Sequence, residues 1–80
     1  MNDNTKPEPW FALERRLRDD AQGGERDTLL RSLEDQASRV RRQLDAGVPP
    51  AEFARLKRVS EGIIAAIEVV NLVWRRYHPV

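Results

Sequence analysis

Between residues 50 and 77 the apolar positions recur at alternating steps of three and four: Phe53, Leu56, Ser60, Ile63, Ile67, Val70, Trp74 and Tyr77. That spacing is the seam of an amphipathic helix in coiled-coil-like register. Val59, Ala66 and Val73 form a second row at a seven-residue step, and from Ile63 to Trp74 only Glu68 and Asn71 are polar. At ~100° per residue the apolar arc there spans roughly 180° or more, whereas one packed neighbour needs about 100°. The excess predicts more than one partner surface for this helix.

A narrower stripe precedes it. Leu29, Leu30, Leu33, Ala37, Val40 and Leu44 follow one helical face, with Glu34, Asp35, Arg39, Arg41 and Arg42 mostly off it. Such a stripe serves a single neighbour. Asp27 is placed to cap this helix, because a carboxylate accepts the free N–H groups of a first turn. Asp35 and Arg39 make a favourable i,i+4 pair. Gly47 suits the residue just past the helix, where φ > 0 is usual. Pro49 and Pro50 prevent continuation, and Pro50 suits the first turn of the next helix. The pattern predicts an antiparallel hairpin of residues 28–46 against 50–77, since a short link makes neighbours of the helices it joins. At ~1.5 Å per residue the arms are roughly 28 Å and about 42 Å long, so the last turns of the longer arm, Val70 to Tyr77, overhang.

Upstream, Trp10, Leu13 and Leu17 share one face of a short helix over residues 10–22, which Gly23 and Gly24 end. Either this helix folds back on the overhang or another protein covers it. Residues 1–9 are polar, with Pro7 and Pro9, and read as a flexible tail. The expected fold class is all-α, in one small domain of 80 residues.

Composition narrows the chemistry. A chain of this size buries a modest fraction of its surface and is often marginal alone. It has no cysteine, hence no disulfide, thiol nucleophile or Cys-ligated metal, which fits a reducing compartment. The N-terminus lacks the apolar core of a signal peptide. The longest apolar stretch is too short for membrane insertion and carries Glu68 and Asn71. Charged residues are 34% of the chain while the net charge is +1. Arg39, Arg41, Arg42 and Arg55, Lys57, Arg58 alternate with Glu34, Asp35, Asp45, Glu52 and Glu61. They read as a solvated face, because a nucleic-acid site wants an uncompensated basic stripe with stacking aromatics.

Catalytic groups are missing. His78 reads as a solvated residue near the C-terminus, with no orienting carboxylate or pocket. Ser32, Ser38 and Ser60 have no nearby histidine. Asp19-Asp20 and Glu34-Asp35 are sequence neighbours, so on a helix they point about 100° apart and form no paired acid–base site. There is no glycine-rich phosphate loop. No catalytic residue, metal ligand or cofactor is expected, and the chain does not read as an enzyme.

The surplus apolar face of the long helix is the candidate protein-binding surface: Val59, Gly62, Ala66, Val69, Val70 and Val73, with Trp74 and Tyr77 as aromatic anchors. Gly62, Ala65, Ala66 and Val69 make it a small-residue surface that another backbone could approach closely.

Over residues 28–78 the chain resembles the small YscE/PscE/SsaE-type proteins of type III secretion systems. The resemblance lies in the arm from Thr28-Leu29-Leu30 to Leu44, the turn Ala46-Gly47-Val48-Pro49-Pro50-Ala51-Glu52-Phe53, the run Ile63-Ile64-Ala65-Ala66-Ile67-Glu68-Val69-Val70, and the ending Val69-Val70-Asn71-Leu72-Val73-Trp74-Arg75-Arg76-Tyr77-His78. It implies a cytoplasmic co-chaperone, a helical hairpin that binds a tetratricopeptide-like chaperone. Together the two would hold the needle subunit unpolymerised before export, without ATP, metal or catalysis. The residues by themselves also leave open a self-associating helical module, a homodimer formed in the absence of a partner.

Overall fold

The computed structural model describes residues 9–79. Three helices follow in order: α1 (Pro9–Arg18), α2 (Gly24–Ala46) and α3 (Pro50–Tyr77). The expected all-α architecture, a hairpin with a short helix before it, is the one observed. The expected tail lies outside the described residues, apart from Pro9, which opens α1.

The α2–α3 link follows from its residues. Gly47 takes φ 91° and its N–H closes onto the Leu44 carbonyl at 3.2 Å. A residue with a side chain is strained there, so glycine ends the helix at Ala46. Pro50 begins α3, where its missing N–H costs nothing. Val48, between them, packs half-buried on the core and pins the link to the hairpin.

Val40, Leu56 and Ile63 are the buried centre of the hairpin, with Leu33, Ala37, Leu44, Val48 and Ile67 around them. All but Val48, which lies in the link, are residues the two stripes predict. The seam departs from expectation at Phe53, which is 46% exposed and lies outside this cluster. It sits in the first turn of α3 beside the exposed Pro50 and Ala51, and the core there is filled by Leu44, Val48 and Leu56 instead. The anticipated Asp35–Arg39 pair does not form within 4 Å, whereas Arg55 pairs with Glu52 on α3.

At the other end, the α1–α2 junction differs from expectation in three respects. Helix α1 stops at Arg18, not at residue 22, and α2 starts at Gly24, not at 28. Asp27 lies inside the first turn of α2 and does not cap it. The cap is Asp20: its carboxylate accepts the backbone N–H of Arg26 at 2.8 Å. To place that group at the start of α2 the chain must leave α1 early and turn back. Gly23 makes the turn at φ 79°, with its N–H on the Asp20 carbonyl at 3.2 Å. A Cβ at Gly23 would also meet the Arg26 guanidinium at 2.7 Å. With 23 residues in α2 and 28 in α3, the arms are about 34 Å and about 42 Å long, so the overhang is shorter than expected.

Candidate protein-binding face

Helix α1 packs chiefly on α3 and less on α2. Of its apolar residues at i, i+3 and i+7, Leu17 is fully buried, with its carbonyl against His78 past the end of α3. Trp10 and Leu13 lie nearer Ala66, Val69 and Val70, the last of them 4% exposed. Three polar contacts fix this arrangement. The Trp74 indole N–H donates to the Asp20 carbonyl at 2.9 Å. The Tyr77 hydroxyl donates to the Glu14 carboxylate. His78 Nε2 lies 2.8 Å from the Leu17 carbonyl, and because a carbonyl only accepts, this contact needs the Nε2–H form of the ring. The Arg26 guanidinium lies 4.0 Å from the centroid of the Trp74 ring, and the His78 ring packs on the same indole at 4.7 Å.

Two groups there have shifted acidities. Burial pushes the Asp20 carboxyl up, but the N–H groups of Arg26, Glu25 and Gly24, with the nearby Trp74 N–H, together hold it below its ordinary value. The hydrogen bond to Glu14 raises the Tyr77 hydroxyl above its ordinary value.

The eight candidate binding residues are therefore divided. Val70, Trp74 and Tyr77 are engaged inside the chain, by α1 and by the turn that follows it. Val59 and Val69 are each 40% exposed, Gly62 is exposed, and Ala66 and Val73 are half-buried. A Cβ at Gly62 would meet nothing within 4 Å, so its surface is open.

Beside Ala66 and Val69 lies a cleft of about 350 Å³ between the three helices. Trp10 and Leu13 of α1 wall it on one side, Leu29 and Leu33 of α2 on another, and Ala66, Val69 and Val70 of α3 form the third. Ser32 and Gln36 are the polar residues of its lining. Helix α1 thus covers the end of the apolar face and leaves the middle open. Trp10, half of whose surface is still exposed, stands at the boundary. A cleft with this lining takes up apolar side chains from a partner helix and offers the two polar groups for orientation.

Sequence reasoning missed Asp20 and His78 among the contacts that tie α1 to α3: His78, expected to be solvated, is half-buried between the Leu17 carbonyl and the Trp74 indole. The signal for Asp20 was an acidic residue shortly before a helix start marked by Gly23-Gly24. His78 gave none, because its partner is a backbone carbonyl 61 positions away. Among the described residues no group of three His, Asp or Glu could hold a metal ion, and no helix is long and apolar enough to cross a membrane.

A family model described as "Type III secretion system, cytoplasmic E component of needle" matches residues 12–77. The match takes in most of α1 as well as the hairpin. No curated protein and no solved structure matches the chain significantly.

Proposed function

This chain belongs to the family of cytoplasmic E components of the type III secretion needle, and from that premise we propose that it is a cytoplasmic co-chaperone. It binds a tetratricopeptide-like chaperone, and the pair keeps the needle subunit soluble and unpolymerised before export. It does so by packing, without catalysis, cofactor or nucleic acid. The observation that carries this reading is the open apolar middle of α3, where Val59 and Gly62 are exposed and Ala66 and Val69 line the three-helix cleft.

The physical mechanism is capping. The inner face of a tetratricopeptide-like chaperone is built of helices, and a helix of it laid along α3 would cover Val59 and Val69 and fill the cleft. Each partner then stabilises the other by mass action. The aromatic anchors of the interface are Trp10 at the cleft wall and, at the edge, Tyr77. Trp74 holds α1 in place so that the cleft keeps its shape.

Co-expression with the chaperone and the needle subunit tests the reading. The expected result is a soluble complex of all three, and a needle subunit that sediments as polymer when this chain is left out. A chaperone and needle subunit that stay soluble without it, and do not co-purify with it, would contradict the proposal. A second reading, self-association, has its own support in Ile64 and Leu72, which are 52% and 63% exposed on the outer side of α3. Under that reading the isolated chain dimerises as its concentration rises, and its apparent mass in sedimentation decides the point.

A further inference from the structure

Charge is segregated along the hairpin although the chain is nearly neutral. Between Arg39 and Arg58 six residues are basic and two acidic, a local balance of +4. The rest of the chain holds eight basic and eleven acidic residues, a balance of −3. Glu52 is already paired with Arg55. Arg39, Arg41, Arg42, Lys57 and Arg58 are exposed and make no ion pair among the described residues.

The fold gathers these cations at one level. Val40 and Leu56 belong to one buried cluster, and Arg39 and Arg41 flank the first as Arg55 and Lys57 flank the second. Successive helical residues diverge by about 100°. Because the two helices run in opposite senses, Arg41 and Lys57 fall along one seam of the hairpin, and Arg39 and Arg55 along the other. Like charges thus share the Arg41–Lys57 seam, which costs stability, whereas on the other seam Arg55 is held by Glu52. The helix ends do not account for it either, since Arg39, Arg41 and Arg42 precede the last turn of α2 and Arg55, Lys57 and Arg58 follow the first turn of α3, beyond the reach of the dipoles. Phe53, 46% exposed, stands one turn before Lys57.

We infer that the hairpin tip is a docking surface for an acidic face of a protein partner, with Phe53 as its apolar anchor. A half-exposed aromatic with a cationic rim has the anatomy of a protein interface. A protein face fits better than nucleic acid. The collar is about one helical turn deep, and the −3 balance elsewhere repels an extended polyanion but not a compact acidic patch. The collar ends at Arg58, next to Val59 at the near edge of the proposed chaperone contact, but Phe53, Arg41 and Lys57 lie outside the cleft lining, so the inference does not depend on that contact.

The test is a titration of the full chain with a short helical peptide whose leucine stripe is flanked by glutamates, and separately with mixed-sequence duplex DNA. Three variants are compared with the wild type: Arg41→Gln with Lys57→Gln, Phe53→Ala, and a control, Arg75→Gln with Arg76→Gln, at the other end. The tip pair is expected to weaken peptide binding roughly tenfold and to raise the melting temperature of the free protein, since a repulsive pair is removed. Phe53→Ala should also weaken the peptide, and the control pair should leave binding unchanged. Absence of peptide binding, equal loss in tip and control variants, or tighter binding of DNA than of peptide would each overturn the inference.

Discussion

The indole N–H of Trp74 donates to the backbone carbonyl of Asp20 at 2.9 Å, joining the far end of α3 to the turn between α1 and α2. The same Asp20 caps α2 through its carboxylate. One residue therefore links the three helices, and its partner on α3 fixes where α1 lies.

Removing the N–H without the ring isolates that link. Trp74→Phe removes one of the two donors to the Asp20 carbonyl, the Gly23 N–H remaining, and should cost about 0.5–1.5 kcal/mol. Hydrogen exchange is the measurement: amides of α1 should lose protection, while those around Val40 and Leu56 keep theirs. A uniform loss across all three helices would mean that α1 and the hairpin open as one unit.

The acidity of Asp20 sets a pH dependence. Its folded-state value lies below the ordinary 3.8, so the ionised form is favoured by folding. The stabilisation is fully present above that ordinary value and is lost as pH falls through the lower, folded one. Asp20→Asn keeps a capping oxygen but no titrating group. Its melting temperature should fall less steeply in acid than that of the wild type. Asp20→Ala, which removes the cap, should lose about 0.5–2 kcal/mol at neutral pH as well.

The expected hairpin is the observed one because its signals are local: Gly47, Pro49 and Pro50 stop one helix and start the next, and two stripes of matching period must face each other. The α1–α2 junction was less legible. Two glycines announce a turn, but only tertiary contact reveals that Asp20 serves α2 and that Trp74 reaches it. The candidate face was legible as an apolar excess, not as a division of it. Whether Val70, Trp74 and Tyr77 meet α1 or a partner depends on the path of α1, and the period of α3 alone carries no information about that path.

Burial ranks the core substitutions. Leu56 is 4% exposed at the centre of the hairpin, so Leu56→Ala should cost about 2–5 kcal/mol, enough to unfold a marginal small domain. Leu44 is half-buried, so Leu44→Ala should fall at the low end of that range or below it. Phe53→Ala should cost less than either, since nearly half of that residue is in water. Denaturant titration of the three variants gives the order, and Phe53→Ala as the most damaging would refute the assignment of the core.

Gly47 is a backbone requirement without a packing one. Its φ is 91° and a Cβ there would meet nothing within 4 Å. Gly47→Ala should therefore destabilise by about 1 kcal/mol through backbone strain alone. Thermal melts of the two proteins test this, and an equal or higher melting temperature for the variant would contradict it.

The central claim is that the open middle of α3 receives the chaperone, and a calorimetric titration of that chaperone with Val69→Asp tests it most directly. Val69 is 40% exposed and borders the cleft, so an aspartate is solvated in the free protein and buried without a partner in the complex. Circular dichroism of the variant should match the wild type. Its affinity should fall roughly a hundredfold or more, the consequence of burying an unpaired carboxylate. Ala66→Asp, on the same wall, should behave alike. Wild-type affinity in both folded variants would place the chaperone elsewhere and contradict the account.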